Sequence, residues 1–380
     1  MLLSSALPLL LCVLGFLCTT ATVRSSNPIC SSPELAYVRD YFTAGGSYTD
    51  DGTGQGTHAF QGQMYVECLI PLRGVSHSYP LVLIHGTGQT GTDFLNTPDG
   101  RRGWASWLID QGYEVYIIDQ VARARSMWLP TNGTMAVISA EDIEQRFTAA
   151  QGFNLWPQAA LHTQWPGTGR MGDPIFDAFY ASNVQYLSDN TLEEIGMKAA
   201  GVALLDIIGP SILIAHSQGG LFPWLWADAR PELVKGILAI EPSDPPSQDE
   251  VVDNLTARAY GLTDIPLTYD PPVTNATTPL ATEVHPSSNP NRSSCILQAE
   301  PARQLVNLKH IPILVDTGES GYHALYDHCT VEFLRQAGVL AEHLRLEDVG
   351  IHGNGHFQFM ERNSLEIVAY LEENWIGKIH

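Results

Sequence analysis

Short apolar runs punctuate the chain, each bounded by Gly, Pro, Asn, Asp or Ser. "LVLIH" (81–85), "ILIAH" (212–216), "KGILAIE" (235–241) and "IPILVD" (311–316) are almost continuously apolar. They are too short for buried helices and suit strands covered on both faces. "MYVECLI" (64–70), "YEVYIID" (113–119) and "HLRLEDV" (343–349) read as further strands. Between them lie stretches of helical periodicity: "TLEEIGMKAAGVALLDII" (191–208), "HALYDHCTVEFLRQA" (323–337), which Gly338 stops, and "ERNSLEIVAYLEENWI" (361–376). Thr191 and Glu194 have the spacing of a capping box at the start of the first. Strand alternating with helix predicts an α/β fold with a mostly parallel central sheet and helices on both faces.

Two segments break the alternation. Residues 120–190 are rich in Trp, Gly, Pro and Gln, and residues 242–310 in Pro, Asn, Ser and Thr. Long irregular segments in a compact domain are commonly functional. The first is expected to be a lid-like insertion over a site, the second a surface insertion.

Composition narrows the setting. Of 380 residues, 41 are acidic and 20 basic, a net charge of −21 that disfavours general binding to nucleic acid or an anionic membrane. Residues 1–21 combine an apolar run with Thr19 and Ala21 at the −3 and −1 places of a cleavage site, as in a secretory signal. The run is short for a membrane span and no basic stop-transfer follows, so no stable membrane anchor is expected. Residues 22–380 are read as one catalytic domain. Outside the signal lie Cys30, Cys68, Cys295 and Cys329, without the spacing of a zinc site. Cys30–Cys68 and Cys295–Cys329 is the preferred of the possible pairings, because each would tie a loop-like segment to regular structure nearby in sequence. Sequons at Asn132, Asn254, Asn275 and Asn291 would be glycosylated surface loops in an extracellular protein.

The chemistry gathers on four motifs. "AHSQGG" (215–220) follows a strand and precedes a helix, as a nucleophile elbow requires, with small residues two before and two after Ser217. Ala215 replaces the usual first glycine, and a methyl group still fits. "HGTGQTG" (85–91) ends an earlier strand and would give oxyanion donors: the N–H of Thr87 or Gly88 beside that of Gln218. It also matches a dinucleotide-binding G-x-G-x-x-G, but lacks a well-placed acidic residue about 20 positions on. "GIHGNGHFQFMERN" (350–363) offers His352 and His356, and His356 is preferred as general base by chain order and its nearness to a helix. The acid is Glu241, at the end of one strand, or Asp316 or Glu319, at and after the end of the next. Glu241 is preferred, because an unpaired carboxylate at the end of a buried strand would be costly unless it served the histidine.

Together with "GRRGWASWLIDQGYEVYIIDQ" and "AIEPSD", these motifs resemble a secreted α/β-hydrolase esterase group of bacteria and fungi that uses a Ser–Glu–His triad. The likeness spans most of the mature chain and fades in 242–310. It implies the α/β-hydrolase fold, hydrolysis of a small-molecule carboxylic ester, and catalytic Ser217, Glu241 and His356, with no metal or organic cofactor. His85, Trp156, Trp165, Phe176 and Phe179 are expected to line the substrate pocket. A lactonase, a secondary-metabolite tailoring enzyme with the same triad, and a non-catalytic binding protein of this fold are the alternatives. Substrate identity and oligomeric state are not encoded in any motif.

Overall fold

The computed structural model describes residues 34–249, 255–273 and 280–380. The expected signal segment, Cys30, Asn254 and Asn275 lie outside the described residues.

The central sheet has eight strands. β1 (Tyr37–Asp50), β2 (His58–Pro71), β3 (Leu81–Ile84) and β4 (Val115–Asp119) form one half. β5 (Ser211–His216), β6 (Val234–Ile240), β7 (Ile313–Thr317) and β8 (Ala341–Arg345) form the other. The spatial order is β1-β2-β4-β3-β5-β6-β7-β8. The β1–β2 and β2–β4 pairs are antiparallel, and every later pair is parallel. β3 and β5 are buried at every residue, as their unbroken apolar sequence requires. Alternation within the same strands separates two cores. Val82, Ile84, Leu213, Ala215, Ile237 and Ala239 face one, while Leu81, Leu83, Ile212, Ile214, Leu238 and Ile240 face the other.

Among the described residues, six helices of seven residues or more accompany the sheet: α1 (Trp104–Asp110), α2 (Pro174–Ser182), α3 (Asn190–Ile208), α4 (Leu221–Ala229), α5 (Asp327–Gln336) and α6 (Ser364–Asn374). α3 packs so closely on α4 that a Cβ at Gly201 would fall 1.8 Å from the Trp226 ring. The capping box expected on α3 does not form. Asp189 caps the helix, accepting from Leu192 N at 3.1 Å. Glu194 is buried and instead accepts from the Asp264 and Ile265 amides at 3.0 and 2.8 Å. The strand expected over 343–349 lies at 341–345 and turns into a 3₁₀ segment.

The edge strand β1 has no counterpart in the sequence reading. It is polar and exposed along most of its length, so no apolar run marks it. Its aromatic residues pair across the strands instead: Tyr41 stacks on Tyr65 at 5.6 Å, and Tyr48 meets Phe60 edge-on at 5.1 Å.

Residues 120–190 hold α2, short 3₁₀ turns and a two-residue pairing of Met135–Ala136 with Tyr186–Leu187. The described part of 242–310 contains three small two-stranded pairings. A disulfide ties Cys295 there to Cys329 on α5, the expected pair. Among the described residues, Cys68 Sγ lies 3.7 Å from Glu114 Oε1. Asn291 is exposed and Asn132 half-buried. Among the described residues, no helix is long and apolar enough to cross a membrane.

Candidate active site

Ser217 sits where β5 turns into α4, with φ +55°, a left-handed conformation that costs a non-glycine residue of order 1–3 kcal/mol. The turn is crowded on all sides. A Cβ at Gly219 would fall 2.3 Å from the His85 carbonyl oxygen, and one at Gly220 would fall 2.6 Å from Pro242 Cβ. A Cβ at Gly86 would fall 2.9 Å from Ser217 Cβ. The glycine loop after β3 therefore presses its backbone against the serine. Thr87, Ser217 and Gln218 are half-exposed there, whereas Gly86 and Gly88 are buried. The Gly88 carbonyl accepts from Val184 N at 2.7 Å.

His356 lies in the loop between β8 and α6, and its Nδ1 is 2.7 Å from Glu241 Oε2. Glu241 follows β6, is fully buried and has φ +43°. Its other oxygen accepts from Gly318 N at 2.8 Å. A side chain at Gly321 would place Cβ 2.4 Å from Glu241 Oε1, so the absence of one there makes room for the carboxylate. Burial, then the nearby Asp327, pushes the Glu241 pKa up. Burial, then His216 and His323, pushes His356 well below the usual histidine value. A neutral imidazole that can accept a proton follows from the second shift.

The other carboxylates do not reach His356. Asp316 is buried beside the Gln358 side chain, and burial raises its pKa to about 8, so it is held mostly protonated at neutral pH. Glu319 accepts from Gly353 N at 2.7 Å and pairs with the exposed His352 at 3.1 Å. Among the described residues, Ser217 Oγ makes no hydrogen bond to His356. His356 Nε2 instead lies 3.4 Å from Tyr322 OH. Catalytic hydrogen bonds are often loose before substrate binds.

The His356 loop is held by residues that the sequence reading missed. His216, itself neutral with a pKa near 3 because of burial, donates from Nε2 to the His356 carbonyl at 2.9 Å. Glu361 accepts from Gly355 N at 3.0 Å and Asn354 Nδ2 at 2.7 Å, and meets His162 Nε2 at 2.7 Å. His162 belongs to the lid-like segment, which is further pinned by Thr163 N donating to the Gly353 carbonyl at 3.0 Å. His216 and Glu361 lie inside the quoted motifs, but their links to the His356 carbonyl and to His162 span 140 and 199 residues and leave no local pattern.

The expected pocket residues stand one layer back. Besides the imidazoles of His216 and His323, the rings packed on His356 among the described residues are Phe147 at 5.1 Å, Tyr322 at 4.9 Å and Phe357 at 5.4 Å. Trp156 packs edge-on against Tyr322 and donates to the Ser320 carbonyl at 3.0 Å. Trp165 and Phe179 pack on Phe357, and Phe176 stacks on Tyr180. His85 is fully buried beneath the glycine loop, not on a pocket wall. A cleft of about 260 Å³ opens beside Gly88, lined by Val137, Ile138, Tyr180, Asn183, Val184 and Gln185. Glu241, His323 and His356 offer metal-ligand atoms within 4.8 Å of one another, but two of the three are already hydrogen-bonded to each other.

No protein-family model matches the chain. It is 46% identical over 341 residues, 90% of either chain, to the probable secreted lipase phiG of a fungal species (strain ATCC 74256). A solved structure described as a novel bacterial esterase superposes with a TM-score of 0.61 at 21% identity, covering 91% of this chain and 97% of that one. The structural likeness, with the strand order above, gives the α/β-hydrolase fold. The sequence identity, over nearly the whole of both chains, places this protein in the family of the fungal probable secreted lipase.

Proposed function

We propose that the protein is an exported serine hydrolase that cleaves carboxylic esters through an acyl-enzyme. The observation that carries this reading is the buried 2.7 Å pairing of His356 with Glu241; the ring of His216, the residue before Ser217, packs 4.4 Å from His356, and the serine is held at positive φ against a glycine loop. Kinship with a probable secreted lipase supports the substrate class and the export.

In this mechanism Ser217 Oγ attacks the ester carbonyl while His356 Nε2 takes its proton. Glu241 holds the ring through Nδ1 and stabilises the imidazolium that forms. The N–H groups of Gln218 and of Thr87 or Gly88 receive the oxyanion. His356 returns the proton to the leaving alcohol, and a water activated by the same histidine then releases the acid. Tyr322 OH, at 3.4 Å from His356 Nε2, must yield that position to Ser217 or to the leaving oxygen.

Stopped-flow hydrolysis of p-nitrophenyl acetate, butyrate and octanoate tests the proposal. The expected result is a burst of one nitrophenolate per enzyme, absent in Ser217→Ala, whose turnover falls on the order of 10⁴-fold or more without loss of fold. Folded wild-type protein that turns over none of the three esters would contradict it.

A further inference from the structure

Arg123 has a fully buried side chain in the turn that follows β4. Its flanking residues, Ala122 and Ala124, have φ of +60° and +47°, so the backbone is strained on both sides of it. Strain of this kind clusters where a side chain must be aimed. Arg123 Nη1 donates to the Gly86 carbonyl at 2.9 Å, and Nη2 pairs with Glu193 on α3. The other oxygen of Glu193 accepts from the side-chain amide of Gln218. Glu193 is as deeply buried as its partner. A buried ion pair is a poor way to gain stability, since desolvation offsets much of the attraction. Its contacts suggest a different use.

Gly86 and Gln218 flank the serine. Across a trans peptide, C=O and N–H point in opposite directions. Anchoring the Gly86 carbonyl therefore fixes where the Thr87 N–H points. The same carbonyl also receives His85 Nδ1 at 3.0 Å. His85 must be the Nδ1–H tautomer, because its Nε2 accepts from Gln120 N at 3.2 Å. Burial, then Arg123, lowers its pKa to about 3, so this tautomer stays neutral. At the far end of the network, Glu193 holds the Gln218 side chain and with it the residue whose N–H is the second donor.

We propose that Arg123 and Glu193 are positioning residues that aim the Thr87 and Gln218 N–H groups at the oxyanion, with Thr87 rather than Gly88 as the loop donor. The proposal rests on the serine-hydrolase reading above. The Arg123 side chain touches no substrate. It acts through one carbonyl, and Glu193 acts through one amide.

The test compares Arg123→Met, Glu193→Gln and the double variant Arg123→Met/Glu193→Met with the wild type. Turnover of p-nitrophenyl butyrate is measured alongside inhibition by butane-1-boronic acid, which forms a tetrahedral anion on the serine. The expected result for Arg123→Met is a kcat lowered about 100-fold, the scale of losing an oxyanion donor, with KM changed less than threefold. Boronate affinity should fall in the same proportion. Glu193→Gln should show the same pattern at about tenfold. The double variant leaves no unpaired buried charge, and its thermal melt reports whether folding is kept. If Arg123→Met does not fold, Arg123→Lys, which cannot reach both acceptors, is read by the same ratio. Unchanged kcat, a loss confined to KM, or a fall in kcat without weaker boronate binding would overturn the proposal. Fluorophosphonate labelling of wild-type Ser217 checks the underlying reading separately, so the two can fail independently.

Discussion

Two histidine–carboxylate pairs lie side by side in this protein. His356 bonds Glu241 at 2.7 Å, and His323 bonds Asp327 at 2.8 Å. All four side chains are buried, and the two imidazoles stack with centroids 5.0 Å apart at 12°. The pairs differ in what lies around them. The ring of His216, the residue just before Ser217, packs 4.4 Å from His356. His356 Nε2 faces Tyr322 OH. The second pair is local, four residues apart at the start of α5. Its carboxylate also accepts from Thr317 Oγ1 at 2.8 Å, which in turn meets His343 Nε2 at 2.9 Å. Among the described residues, His323 Nε2 has no hydrogen-bond partner. On the proposed mechanism only the first pair is catalytic, and what separates the two is the group set beyond the far nitrogen.

The comparison can be broken by trading the carboxylates. Glu241→Gln should lower kcat on p-nitrophenyl butyrate by about 10²–10⁴-fold, because the amide no longer stabilises the imidazolium. Asp327→Asn should lower kcat less than about tenfold, with its larger effect on melting temperature, because it leaves a buried network short of an acceptor. Equal losses of kcat would erase the distinction between the pairs.

A pH profile sharpens the same point. As the proposed base, His356 can act only when neutral, and burial holds its pKa well below 6.5. The activity of the wild type should therefore stay level from neutral pH to below 6.5 and fall only at more acid pH. In Glu241→Gln the acid limb should move lower still, since the imidazolium loses its carboxylate. A limb at or above 6.5 in the wild type would contradict the burial argument.

The smallest effect is expected at Asp316, one strand over from Glu241. Its raised pKa of about 8 keeps it mostly protonated at neutral pH. Asp316→Asn, nearly isosteric with that form, should change kcat/KM less than about threefold in the ester assay.

The sequence reading reached the parts whose cause is local. The strands β3, β5, β6 and β7 are apolar along their length, and burial on both faces is the direct consequence. The Ser217 turn was legible because small residues must surround it. Glu241 is distinguished from Asp316 by the cost of an unpaired buried carboxylate, and the geometry pairs Glu241 with His356 while Asp316 lies beside Gln358. What depends on distant partners was not legible. In "VARARS", Arg123 and Arg125 look alike, yet Arg123 is buried against Gly86 and Glu193, whereas Arg125 is part-exposed beside Asp119 and Glu67. The aromatic residues of the lid-like segment were expected at the pocket surface. Trp156, Trp165 and Phe179 back Tyr322 and Phe357, Phe176 stacks on Tyr180, and it is Phe147 that meets His356, because an apolar ring in sequence does not say which layer it fills. β1 escaped notice because an edge strand with two polar faces leaves no pattern.

The most direct measurement is the rate of fluorophosphonate labelling, with the adduct mapped by peptide mass, in the wild type, Glu241→Gln and Asp327→Asn. A single adduct on Ser217 is expected, formed at nearly the wild-type rate in Asp327→Asn and at least about 100-fold more slowly in Glu241→Gln. Folded wild-type protein that takes no label on Ser217, or an Asp327→Asn variant slowed as much as Glu241→Gln, would contradict it.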